Sequence, residues 1–148
     1  MLETLLCLVV AITDGDTLKV RCGQEGAYEQ VIIRMAEIDA PEKKQAFGNR
    51  SKDALGALCH EAMATIKPQT KDRYGRTVAR VECRGKDANA ELVRQGMAWA
   101  YAKYQTDPLF PQLEQQARAQ RVGLWVDLGS AAPPVAPWEF RAQSKQSN

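Results

Sequence analysis

The sequence has one histidine and no C-x-x-C pair among its four cysteines. It also has no apolar run near the ~20 residues that span a membrane. The first scarcity argues against histidine-based catalysis, and His60 sits away from every motif below. The second argues against a zinc site. The third excludes a transmembrane helix, so no membrane partner is expected. Charge of one sign is missing too: 20 Lys and Arg stand against 18 Asp and Glu, a formal net charge of +2. No bulk basic tail announces nucleic acid, so any such surface must be a local patch. The apolar start LLCLVVAI has no positively charged lead and no small-residue cleavage site. It runs straight into DGDT and reads as a strand, not as a signal peptide.

What is present fits a globular chain. The 148 residues are 45% hydrophobic and 26% charged, ordinary values for one domain with a real core. Leu5 to Ile12 and Thr17 to Cys22 flank an Asp-Gly turn, a hairpin signal in which glycine supplies φ > 0. A third strand is predicted from Tyr28 to Ile38. Leu55, Leu58, Ala62 and Ile66 recur at helical spacing and predict a helix from about Asn49 to Ile66. Short strands follow at Gln69 to Lys71 and Thr77 to Cys83. Asp87 caps a short helix closed by Gly96, and Asp107-Pro108 opens a last one that stops at Gly123. The fold class is therefore α+β, mainly β: a five-stranded OB-type barrel with about three helices. Residues 1–128 form the domain. Residues 129–148 are a proline-containing extension with a loose end. Cys7 and Cys22 face each other across the hairpin, but a disulfide and free thiols both stay open.

Three short motifs carry the chemistry. DGD places Asp14 and Asp16 around one glycine. R-x4-DAPE places Arg34 five residues before Asp39, with Ala40, Pro41 and Glu42 after it. DRYGR places Arg73, Tyr74 and Arg76 around a turn. Each alone has a bland reading as a turn or a strand end. Carboxylates without a cysteine or histidine ligand set suit a hard cation with oxygen ligands, if the fold brings them together. Arginines suit phosphate oxygens.

Together, and in this order, the motifs resemble the staphylococcal-nuclease-like (thermonuclease) family. The likeness runs from Val9 to about Trp125, includes NAELVRQGMAWAY and GLW, and extends to the closing PWEFR, which is similar to tails of Gram-negative members. The resemblance implies a calcium site with Asp16, Asp39 and the Ala40 carbonyl as direct ligands, and Asp14 and Glu42 acting through water. It implies Arg34, Glu42 and Arg76 as catalytic residues, and Arg73, Tyr74, Tyr101 and Tyr104 as substrate-binding residues. The implied activity is Ca²⁺-dependent endonucleolytic hydrolysis of DNA and RNA, preferably single-stranded, with low sequence specificity and 3′-phosphate ends. The expected state is a monomer, and the family suggests a secreted or periplasmic protein. Family members often have Thr at the position of Ala40, where only a carbonyl is needed. The loop KKQAFG is several residues shorter than in the staphylococcal enzyme. The rival readings are a non-catalytic nucleic-acid-binding module on the same barrel, and a purely structural Ca²⁺-binding domain that would leave Arg34 and Arg76 idle.

Overall fold

A computed structural model describes residues 3–146. Alternating apolar residues build an antiparallel run of β1 (Leu5–Asp14), β2 (Thr17–Cys22) and β3 (Glu29–Met35). β5 (Met63–Lys71) adds to β1, and β6 (Thr77–Cys83) adds to β5. β3 then pairs with β6 in parallel, with Arg34 opposite Val78, and closes the five strands into a barrel. β4 (Ile38–Asp39) leaves the barrel and pairs with β8 (Trp99–Ala100), while β7 (Lys86–Asp87) is a short extension of β6. The helices are α1 (Gly48–Cys59), α2 (Ala88–Arg94), α3 (Leu109–Gln120) and α4 (Pro137–Gln146). The closed mainly-β barrel is the expected OB-type architecture.

Several local expectations are corrected. The helix predicted to Ile66 ends at Cys59, and the chain turns through His60 and Glu61, whose φ is 60°. Ala62 and Ile66 fit helical spacing from Leu55. Yet Ala64 and Ile66 also alternate with exposed neighbours, and β5 takes them. Pro68 lies inside β5, where the register shifts before Thr70. The predicted third strand breaks after Met35 because Glu37 adopts φ 74° and redirects the chain into β4. The cysteines all pair: Cys7 with Cys22, and Cys59 with Cys83. The second bridge ties the end of α1 to the end of β6, which the misplaced helix end concealed. A fourth helix stands in the extension, and the last two residues of the end expected to be loose lie outside the described residues.

Two apolar clusters result. The barrel core holds Val9, Leu18, Val20, Ile33, Met35, Leu55, Ile66 and Val81, joined by Leu92 and Phe110 from α2 and α3. A smaller cluster gathers Trp99, Trp125, Leu124, Ala117 and Ala136, with Trp138 against it. Trp99 meets Trp125 edge-on at 4.6 Å and Trp138 at 5.6 Å. This second cluster seats the root of α4.

Candidate active site

The Asp-Gly-Asp turn sits at one end of the barrel, and its glycine acts by size. Gly15 has no positive φ. A Cβ there would lie 2.6 Å from Ser51 Cβ and 2.9 Å from Ala40 Cβ. The missing side chain lets the turn press against α1 and the strand exit. That approach sets Asp16: its Oδ2 accepts the Ala40 amide at 2.8 Å, and its Oδ1 accepts the Thr17 hydroxyl at 2.9 Å.

The bend after β3 places Asp39. The Ala36 amide donates to the Ala79 carbonyl at 2.8 Å, and the buried Asn89 Nδ2 donates to the Ala36 carbonyl at 2.8 Å. Asn89 Oδ1 accepts the Val81 amide at 2.9 Å, so one side chain ties β6 to the bend. Glu37 is buried and accepts the Thr106 amide at 2.9 Å, which fixes the bend to the loop before α3. Asp39 emerges fully buried, beside Asp16.

Arg34 lies across from Thr17 and joins these carboxylates. Its Nη2 is 3.3 Å from Asp39 Oδ1 and 3.6 Å from Asp16 Oδ2. Its Nη1 donates to the carbonyls of Met35 at 2.8 Å and Ile38 at 3.0 Å. These bonds hold the guanidinium in one pose. Burial, with Asp16 nearby, pushes the Asp39 carboxyl up to about 6 against the pull of the arginines. Burial and the charges of Asp16 and Glu42 raise Asp14 as well. Asp14 thus feels the charges of Asp16 and Glu42, and Asp39 feels that of Asp16.

The structure adds a residue that the sequence reading left unassigned. Arg141, on α4, reaches across the site. Its Nη1 donates to Asp39 Oδ1 at 3.1 Å and to Glu42 Oε1 at 2.6 Å. Its Nη2 donates to Asp39 Oδ2 at 2.6 Å. Its own pKa is raised by these bonds. The only signal for it was the arginine closing PWEFR.

Among the other expected residues, the Tyr101 hydroxyl reaches this cluster, 3.5 Å from Arg141 Nη2. Arg76 pairs with Asp72, its Nε 2.7 Å from Oδ2, in the turn that leads into β6. Arg73 donates to the Tyr74 hydroxyl at 2.7 Å, and both arginines lie over the exposed Tyr74 ring. Tyr104 is 61% exposed and meets Tyr101 edge-on. Tyr101 is covered on one face, where Trp138 stacks on it at 5.4 Å with planes 4° apart.

The acidic side chains named above, with no Cys or His among them, are donors of the type that a hard divalent cation takes. Among the described residues no three acidic, His or Cys side chains stand ready-made around one point. Both oxygens of Asp39 accept from Arg141, and Oδ1 accepts from Arg34 as well.

Residues 32–127 match the family model described as staphylococcal nuclease homologue. The chain belongs to the staphylococcal nuclease family. The matched span includes Arg34, Asp39, Glu42 and Arg76; it leaves out Asp14, Asp16 and Arg141. A Haemophilus influenzae protein described as an uncharacterized endonuclease is 44% identical over 139 residues, covering 94% of this chain and 74% of that protein. The Escherichia coli protein ParB is 40% identical over 147 residues, covering 92% and 78%. A Shigella flexneri micrococcal nuclease is 37% identical over 150 residues, covering 94% and 82%.

Proposed function

We propose that this chain is a Ca²⁺-dependent endonuclease. It hydrolyses phosphodiester bonds of DNA and RNA, prefers single strands, has low sequence specificity and leaves 3′-phosphate ends. Family membership and relatives described as nucleases support hydrolysis of nucleic acid. The observation that carries the finer reading is the contact of Asp16, Arg34 and Asp39 at one end of the barrel, with Asp14 and Glu42 beside them.

Asp16 and Asp39, with the Ala40 carbonyl, would hold the cation, and Asp14 and Glu42 would act through water. When bound, the cation supplies Lewis acidity and positive charge at a phosphoryl oxygen. Arg34 contributes N–H groups whose pose the Met35 and Ile38 carbonyls have already fixed, so little reorganisation is needed as charge builds on phosphorus. Glu42 accepts a proton from the attacking water or orients it. Arg76 adds a second guanidinium once it leaves Asp72 for the phosphate. Arg73, Tyr74 and Tyr104 lie exposed and offer charge and stacking faces to a flexible strand, which tolerates any base. The chain acts as a monomer. Two disulfides favour an oxidising compartment, secreted or periplasmic.

The rival reading, a non-catalytic binding module, draws on the pairing of Asp39 and Glu42 with Arg141. Single-turnover cleavage of a single-stranded oligonucleotide decides between them. Cleavage is expected with calcium, none with chelator, and 3′-phosphate products. Glu42→Gln and Arg76→Ala should bind the oligonucleotide yet cut it slower by roughly 10²-fold or more. Binding without cleavage by the unmodified protein establishes the module.

A further inference from the structure

We propose that Arg141 is a phosphate-binding arginine of this site: it covers Asp39 and Glu42 while cation and substrate are absent, and turns onto the scissile phosphate when they bind. The inference rests on the nuclease reading above and assigns a role to a residue outside the family-matched span.

The helix that carries Arg141 is anchored. Ala136 and Pro137 are buried, and Trp138 packs edge-on against Trp99 and flat on Tyr101. Gln45 Nε2 donates to the Val135 carbonyl just before the helix. The amides of Glu139 and Phe140 both donate to the Ala136 carbonyl at 3.0 Å and start α4 on that seat. Trp138 and Arg141 are three residues apart and share one helix face. The face that grips Tyr101 therefore also delivers Arg141 to the carboxylates. A helix seated on the tryptophan cluster is poorly suited to release, so its arginine stays within reach of the site in every state.

The tip of Arg141 is the adaptable part. Its side chain is 37% exposed, against 1% for Asp39. The guanidinium thus stands on the solvent side of the buried carboxylate, where a phosphodiester would approach. All four oxygen contacts of the tip, two on Asp39, one on Glu42 and one at 3.5 Å on the Tyr101 hydroxyl, are made through Nη1 and Nη2. A cation that takes an oxygen of Asp39 competes with these N–H groups for the carboxylate's charge and lone pairs, and weakens their hold on it. Phosphate oxygens match the bidentate geometry of the loosened fork as well as a carboxylate does. Arg141 would exchange one anion for another without losing its charge pairing. The same residue then opposes cation binding in the absence of substrate and favours substrate binding in its presence.

The test uses the full chain with Arg141→Ala and Arg141→Lys, each first checked for an unchanged melting transition and tryptophan fluorescence. Calorimetric calcium titration without nucleic acid reads the first half. Arg141→Ala should bind calcium more tightly, by about tenfold, because a charge-assisted competitor is gone. Oligonucleotide binding in calcium reads the second half. Arg141→Ala should bind more weakly, with a salt slope smaller by about 0.7, the value of one phosphate contact on a single strand. Arg141→Lys keeps the charge and should restore the slope, but not the cleavage rate that needs the fork. Unchanged calcium affinity in Arg141→Ala overturns the proposal. So does faster cleavage by that variant, which would make α4 an inhibitory latch. If the unmodified protein neither binds calcium nor cuts, the nuclease reading itself fails. If it does both and Arg141→Ala matches it, only this inference fails.

Discussion

Replacing Gly15 by alanine tests whether close packing, and not turn conformation, builds the site. The new Cβ would stand 2.6 Å from Ser51 Cβ and 2.9 Å from Ala40 Cβ. Ordinary carbon contacts are about 3.5–4.0 Å, so roughly 1 Å must open. Ser51 cannot easily yield: it is fully buried, and its hydroxyl donates to the Met97 carbonyl at 2.6 Å. Ala40 is held by its bond to Asp16. The soft route is to lift the turn off α1, which breaks that bond. Overpacking costs about 1–3 kcal/mol. Loss of a hydrogen bond to a charged group costs about 1.5–3 kcal/mol. Stiffening of the unfolded chain returns about 0.4–1 kcal/mol. A net loss of about 1.5–5.5 kcal/mol is expected, or roughly 3–20 °C in melting temperature for a domain of this size. Calcium affinity should fall in parallel, because Asp16 moves. Adding Ser51→Gly should recover part of the packing loss, a coupling that a double-mutant cycle reads. A Gly15→Ala protein that melts within about 2 °C of the parent and binds calcium equally well would refute the reasoning.

The raised Asp39 carboxyl predicts a pH dependence. Its folded value, about 6, lies above the ordinary aspartate value of 3.8, so the folded state holds this proton more tightly. Without cation, this group's contribution therefore favours folding below the unfolded value and is lost as pH rises through about 6, a change of about 3 kcal/mol. A cation that needs the ionised form must expel the proton, so calcium affinity at about pH 5 should be about tenfold weaker than at about pH 7.5. Equal affinities at both would contradict the burial argument. The cysteine pairing predicts no reactive thiol in unfolded, unreduced protein, and titration with a thiol reagent checks it; two or four thiols would contradict the bridges. Reduction should cost about 3 kcal/mol for each bridge by chain entropy, read as a drop in the urea midpoint.

The candidate site residues Asp16, Arg34 and Asp39 stand at strand ends beside turn signals, but each motif alone reads as an ordinary turn or strand end, and only the family resemblance joined them. Asp16 follows Asp-Gly, Arg34 closes β3, and Asp39 precedes the Ala-Pro exit, so short-range pattern places them. Barrel closure then brings them together. Arg141 was not legible by the same means. It is 102 residues from Asp39 and lies on a helix whose polar composition reads as solvent-exposed. Its position depends on Trp138 finding Trp99 and Tyr101, a tertiary event without local signature. The end of α1 was misread because Ala62 and Ile66 serve two periodicities at once, and the turn at Glu61 uses a left-handed φ without glycine. Gly15 was placed correctly but for another reason: local turn rules know nothing of Ser51.

The parallel pairing of β3 with β6 makes site assembly a late event in folding. The hairpins from β1 to β3 can form locally and set Asp16 beside Arg34. Asp39 is not held until Ala36 meets Ala79 and Asn89 meets both, contacts that need β6 and α2 in place. Such long-range closure carries a loop-entropy cost before it is rewarded, and it slows barrels relative to helical folds. A chain in which β6 has not yet docked thus holds half of the acidic cluster and none of the contacts that fix Asp39. Should β6 open transiently, the same contacts would be lost together. Occupancy of the site would therefore report on the whole barrel, and a newly made chain would be chemically silent until its last strand had closed.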